Sequence, residues 1–189
     1  MIGENFAEVL AAAQRGNEAA FAQLWRDTNP PLLRYLRVVS SGDVEDVAAE
    51  TWATVVRGLT RFQGDETGWR AWLFATARRR AVDDGRRRSR ERDVPVDDVA
   101  SLADLPGPTG LAADPADLVM AQDAVDQALA AIRRLPPLQA EVLMLRLVAG
   151  LPSELVAQLT GSTPGAVRVA AHRGLKKLAE EMSRAGVTL

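Results

Sequence analysis

The stretch GWRAWLFATARRRAVDDGRRRSRER, residues 68–92, carries nine arginines against Asp83, Asp84 and Glu91, a local charge of +6. The whole chain of 189 residues carries −2, so everything outside this stretch sums to −8. A guanidinium keeps its proton in any protein and presents a planar fork of donors that suits phosphate. Such a cluster is suited to gripping a polyanion rather than making or breaking a bond, and the acids elsewhere confine that grip to one face. A second set of cations, Arg168, His172, Arg173, Lys176 and Lys177, lies near the C-terminus. His172 is the single histidine and the chain has no cysteine, so neither a His/Cys metal site nor a thiolate nucleophile is available. With no glycine-rich phosphate loop either, the expectation is a binding protein without cofactor, metal or catalytic residues.

The elements that must hold these cations read as helix almost throughout. At 100° per residue, Trp69, Trp72, Leu73 and Thr76 share one face, with Ala71, Phe74 and Ala75 on the other side. The helix is apolar nearly all round up to Ala77, which predicts burial against its predecessors. From Arg78 onward cations occur on every side, as though the chain had left the core. Gly85 weakens the helix by about 1 kcal/mol relative to alanine, and the helix is expected to stop there. Upstream, Asn5 and Asn17 are predicted N-caps, with Gly16 closing the first helix. Asn29-Pro30-Pro31 is expected to break the chain between "EAAFAQLWRDT" and "LLRYLRVV". Asp43 caps a further predicted helix in which Val44, Val47, Ala48, Thr51, Val55 and Leu59 line one face.

Residues 93–118 hold six aspartates, four prolines and no Lys or Arg, and read as an acidic, mostly extended linker. Helical pattern returns at Asp114-Pro115, a cap followed by proline at the first helical position. Leu118, Ala121, Val125, Leu129 and Ile132 form a stripe, and "LQAEVLMLRLVAG" is an apolar helix closed by Gly150. A helix over about 153–160, Gly161 in the left-handed conformation, and a second helix capped by Thr163 with Pro164 at its first position together make a helix-turn-helix. Val156, Leu159, Val167, Ala170 (or Ala171) and Leu175 are expected to face inward. Arg168, His172, Arg173, Lys176 and Lys177 are expected to face a DNA groove and its phosphates.

With 47% apolar and 25% charged residues the chain has ordinary globular composition. The N-terminal "MIGENFAEVL" lacks the basic start and long apolar run of a secretion signal, and no stretch approaches the roughly 20 apolar residues of a membrane span. The expectation is a cytoplasmic, all-α protein without membrane insertion. Its two small helical domains would occupy residues 1–92 and 115–189, joined by an acidic, Pro-rich linker over 93–114.

Three segments in this order, "DVEDVAAETWATVVRGL", "GWRAWLFATARRRAVDDGRRR" and "LPPLQAEVLMLRLVAGLPSELVAQLTGSTPGAVRVAAHRGLKKL", resemble the extracytoplasmic-function sigma factors of bacterial RNA polymerase. The resemblance covers residues 5–92 and about 115–180. It implies a promoter-specificity subunit whose partners are core RNA polymerase, through its clamp helices and flap, and promoter DNA. The first domain would bind the clamp through Asp46, Glu50 and their neighbours. "FQGDET" would be the loop that holds a base flipped from the non-template strand, with Gln63 and Asp65 offering hydrogen bonds. Unstacking that base costs a few kcal/mol, which nearby contacts must offset. Arg78, Arg79, Arg80, Arg86, Arg87 and Arg88 would hold the minus-ten region through phosphates. The second domain would take the minus-thirty-five element through Thr163, Arg168, His172, Arg173, Lys176 and Lys177. The acidic linker is either a simple tether or a nucleic-acid mimic threading the polymerase. Many members of the family are held inactive by an anti-sigma factor, although no residue here identifies one.

The chain departs from the family's pattern at several positions. Ala49 stands where a glutamine is frequent in the clamp-binding motif, Arg79 replaces a frequent asparagine, Gly85 a bulky apolar residue and Pro152 a capping serine. Val169 and Ala170 replace a polar-basic pair on the recognition helix, which leaves fewer side chains for base edges and shifts minus-thirty-five binding toward phosphates. The competing reading is a stand-alone helix-turn-helix regulator of duplex DNA. It accounts for residues 137–180 but leaves "DVEDVAAETW" and the arginine helix without a use.

Overall fold

The computed structural model describes residues 2–92 and 115–184. The linker and the expected cap at Asp114 lie outside the described residues. A 3-10 turn at Gly3–Asn5 leads into α1 (Phe6–Gln14), followed by α2 (Glu18–Val39) and α3 (Val44–Gly58). A second 3-10 turn, Leu59–Arg61, precedes α4 (Glu66–Arg92). The C-terminal half holds α5 (Pro115–Arg133), α6 (Pro137–Leu143), a π-turn at Met144–Val148, α7 (Ser153–Thr160) and α8 (Pro164–Arg184). Every regular element among the described residues is helical, as the 3.6-residue periodicity predicts.

Several local signals act as expected. Asn17 Oδ1 accepts from the Ala20 N–H, and Asp43 Oδ1 accepts from those of Glu45 and Asp46. Asn5 precedes α1 but its side chain caps nothing, because the residue itself sits in the 3-10 turn.

Pro30 and Pro31 do not break the chain; they lie inside a continuous α2. Each interior proline costs about 3 kcal/mol. The same helix fully buries Leu24, Leu32, Tyr35 and Leu36, at about 1.5–3 kcal/mol per large side chain. Packing therefore outweighs local propensity, and Asn29 beside the prolines is itself used, accepting at Oδ1 from Trp52 Nε1 at 2.9 Å.

α4 is likewise unbroken at Gly85. The turn after α2 lies directly against it: a Cβ at Gly85 would stand 3.2 Å from Ser41 Oγ, and one at Gly42 would overlap the Asp84 carboxylate. Asp84 is buried and accepts from Arg87 (2.7 Å) and Arg88 (3.1 Å), which continues the helix past the weak residue. The root of α4 matches expectation, since Trp69, Leu73, Phe74 and Ala77 are wholly buried. Phe62 stacks on Trp72 and meets Trp69 edge-on, with ring centroids at 5.1 and 5.7 Å. The chain does not leave the core at Arg78, however, because Ala81 and Asp84 remain buried one and two turns later.

In the C-terminal half, Gly161 has φ 66° and terminates α7, while Thr163 Oγ1 accepts from the Ala166 N–H. Val156, Val167 and Ala170 are buried as expected, whereas Leu175 is exposed. The inward track of α8 runs through Gly174 instead, where a Cβ would come within 2.9 Å of Leu143 Cδ1. A side chain there would push Leu143 aside, so the glycine favours the close approach of α6 and α8, and that phase turns Leu175 outward. The apolar run after Pro137 is an α-turn followed by a π-turn. The latter exposes Leu147 and sends Arg146 Nη1 to the Leu151 carbonyl at 2.6 Å. The two halves meet where α2 packs on α5, α6 and the π-turn.

Candidate nucleic-acid interface

The six arginines expected to touch DNA have distinct surroundings. Arg79 and Arg86 are exposed and have no ion pair among the described residues. Arg87 is exposed but bound to Asp84, and Arg88, half-buried, shares that carboxylate. Arg80 donates from Nη2 to Thr54 Oγ1 at 2.9 Å and lies 3.8 Å from Glu50. Arg80 and Arg87 line a mixed-charge recess between α3 and α4 together with Asp46, Glu50, Asp83 and Asp84. None of the six is fully buried, so each retains surface that an anion can reach; among the α4 arginines whose side chains are described, Arg70 is the sequestered one, between Asp27 (2.7 Å) and Glu66 (3.4 Å).

Arg78 turns toward the other half. Its Nε donates to Glu141 Oε1 at 2.7 Å, and the Tyr35 hydroxyl donates to the same oxygen at 3.1 Å. A cleft of about 310 Å3 beside this cluster is walled by Val38, Val39, Ala81, Leu135 and Ala140. Burial, and next the charge and hydrogen bond of Glu141, raise the Tyr35 hydroxyl well above the ordinary tyrosine value of about 10, against a smaller opposing pull from Arg78. The hydrogen bond to Glu141 raises Arg78 as well. Sequence reading passed over this cluster, although Glu141 is the one acid inside an apolar run and Tyr35 the one tyrosine of the chain.

Because the folded-state value of Tyr35 lies above the unfolded one, its contribution to stability is complete below about pH 10 and is lost as pH rises through the folded value. Thermal melts from about pH 9 to 11 should show a fall in melting temperature that is shallower in Tyr35→Phe, which has no proton to lose there. Identical slopes for the two proteins would contradict this.

Gln63 is exposed on its loop. Asp65 is exposed too, but its Oδ1 accepts from the Gly68 N–H at 2.7 Å and so caps α4. On α3, Asp46, Ala49, Glu50, Ala53 and Val56 form one exposed face. On α8, Arg168, His172, Arg173, Lys176 and Lys177 are all exposed. Arg168 stands 3.8 Å from Glu154, with both side chains 65% exposed, too open to water to hold it fast. Thr163 is exposed while its hydroxyl caps α8. Of the two departures on this helix, Val169 faces outward, and Ala170 lies on the packed side where base readout was never at stake. The residues missed by sequence reading are Tyr35 and Glu141 at the seam and Gln14, which spans to the loop at Phe62. No described helix is long and apolar enough to cross a membrane.

Two protein families match the chain in the order of its two halves: sigma-70 region 2 over residues 24–91 and sigma-70 region 4 over residues 126–178. The ECF RNA polymerase sigma factor SigD of Mycobacterium tuberculosis is 33% identical over 192 residues, covering 98% of this chain and 88% of that protein. Two solved structures share the fold. CnrH in complex with the cytosolic domain of CnrY has a TM-score of 0.61 at 20% identity, covering 96% of this chain and 99% of that one. The sigma factor RpoE in complex with the anti-sigma factor NepR, from Bartonella quintana, has a TM-score of 0.59 at 23% identity, covering 86% and 96%. A region 2 bundle with an arginine-bearing helix, followed by a region 4 helix-turn-helix, is the plan of a subunit that gives core polymerase its promoter: this chain belongs to the ECF sigma factors of bacterial RNA polymerase, recognising promoters and supporting strand opening in transcription initiation.

Proposed function

We propose that the chain acts wholly by binding, in the cytoplasm, and that the work divides between residues 1–92 and 115–189 with 93–114 as the connection. In the first part the exposed face of α3 around Asp46 and Glu50 takes the polymerase clamp. Gln63 meets the flipped base, and Asp65 supports it indirectly by fixing the start of α4. Arg79 and Arg86 lead the contact with phosphates of the minus-ten region, while Arg80, Arg87 and Arg88 add charge from within their ion pairs. In the second part α8 takes the minus-thirty-five element through Arg168, His172, Arg173, Lys176 and Lys177, with Thr163 setting the helix start. The observation that carries this reading is the placement of exposed cations on α4 directly beyond a root of fully buried aromatics. A rigid base keeps those charges from relaxing away when the strands separate.

Arg78 serves DNA only after exchanging Glu141 for a phosphate. The RpoE structure contains an anti-sigma factor, and a partner of that kind here would act by holding the two halves in their present contact.

Run-off transcription tests the core of the proposal. Purified chain added to core RNA polymerase is expected to start transcripts at a defined site on a promoter library, while core polymerase alone does not. A duplex-binding regulator would retard the DNA and yield no transcript, and that result would overturn the proposal.

A further inference from the structure

Helix α1 precedes the stretch matched by sigma-70 region 2, which begins at residue 24, yet both ends of the N-terminal segment hold the loop that bears Gln63. At its C-terminal end, Gln14 Nε2 donates to the Leu59 carbonyl at 3.0 Å and to the Phe62 carbonyl at 2.7 Å. Those two carbonyls bracket the 3-10 turn Leu59–Arg61. Both are acceptors, so only the nitrogen of the carboxamide can face them, and a single planar group clamps the turn at two points. At the other end, the N–H groups of Ile2 and Gly3 donate to Glu66 Oε1 and Oε2 at 3.1 and 2.9 Å. Glu66 opens α4 and is held in turn by Arg70, itself bound to Asp27. Phe6, Leu10 and Ala13 bury α1 against the bundle, so the strap is fixed before it grips anything. Between the two grips, the Phe62 ring is wedged on Trp72 and Trp69. Gln63 therefore projects from a backbone pinned on both sides.

We infer that Gln14 is a positioning residue for base selection in the minus-ten element: its carboxamide sets where the loop presents Gln63. The inference rests on the reading of that loop given above. Choice among bases is a difference between hydrogen bonds made and left unmade, and a displacement of about 1 Å is enough to erase it. With the loop loosened, α3 would still bind the clamp and α4 the phosphates, but the loop would accept bases more evenly.

The test uses holoenzyme assembled from the full chain and core polymerase, on promoters carrying each of the four bases at every minus-ten position. Gln14→Leu removes both donors at similar bulk, and Gln14→Lys keeps N–H donors at the end of an unbranched stem. With Gln14→Leu, the ratio of initiation between best and worst base at one minus-ten position is expected to fall about five- to tenfold. Affinity for core polymerase should stay unchanged, and Gln14→Lys should restore most of the ratio. Wild-type discrimination in the leucine variant, or an equal loss with all four bases, overturns the inference. Gln63→Ala separates the two ideas. If it flattens discrimination while Gln14→Leu does not, the loop reading stands and the role of Gln14 falls; if neither has an effect, the loop reading falls as well. Should the leucine variant not fold, Gln14→Lys against Gln14→Glu decides in the same way. The glutamate sets a carboxylate against two carbonyls and is expected to lose the discrimination that lysine keeps.

Discussion

Replacing Trp69 by alanine is expected to cost about 3–5 kcal/mol, the range for emptying a fully packed aromatic site. That is a large share of the roughly 5–15 kcal/mol that holds a domain together. Trp69 is wholly buried at the root of α4, with Phe62 and Trp72 edge-on at 5.7 and 5.6 Å. The indole N–H has no hydrogen-bond partner among the described residues. Trp69→Phe thus gives up packing volume but no hydrogen bond, and should cost well under half as much as alanine. Chemical denaturation of the three proteins checks both statements. The alanine variant should also lose transcription with core polymerase, since α4 would no longer be rooted. A phenylalanine variant as unstable as the alanine one would mean that the indole nitrogen has a partner.

The second large effect concerns salt. Arg79 and Arg86 are exposed and form no ion pair among the described residues, so replacing both by alanine removes charge without orphaning a buried acid. Each phosphate contact contributes about 0.9 to the slope of log affinity against log salt on duplex DNA and about 0.7 on single strands. The double variant should therefore flatten the slope by about 1.8 on a duplex promoter and about 1.4 on one opened beforehand. Holoenzyme binding from about 50 to 200 mM salt provides the measurement. An unchanged slope would remove both residues from the DNA face. Arg87 and Arg88 are poorer probes: their removal leaves the buried Asp84 carboxylate short of cations, and instability would mask any effect on DNA.

Most of the fold could be read from the chain because its signals are local. Asp43, Asn17, Gly161 and Thr163 each satisfy backbone groups within a few residues. The spacing of Val47, Ala48, Thr51 and Val55 follows from 3.6 residues per turn. The readings that needed correction are those decided by something distant. Pro30 and Pro31 look like a break until four buried side chains of the same helix are counted against them. Gly85 reads as a stop because the Ser40–Gly42 turn, packed against it, is more than forty residues away in sequence. Leu175 reads as core because an apolar residue was sought at that turn, where a glycine admits Leu143 instead. In the candidate interface the types of the cations could be read and their partners could not. Glu141 is sixty-three residues from Arg78, and no periodicity links the two.

The contact among Tyr35, Arg78 and Glu141 carries a thermodynamic consequence. Glu141 takes the Nε edge of the Arg78 guanidinium, so a promoter phosphate that bound the same edge would compete with the carboxylate across the seam. If the two associations exclude each other in this way, linkage makes the coupling reciprocal: the contact between the halves would weaken promoter binding by the same factor by which promoter DNA weakens that contact. On the proposal that a promoter phosphate takes Arg78 from Glu141, the closed pair would guard the free subunit against stray nucleic acid, and a partner that drew the halves apart would release that charge for the opened strands.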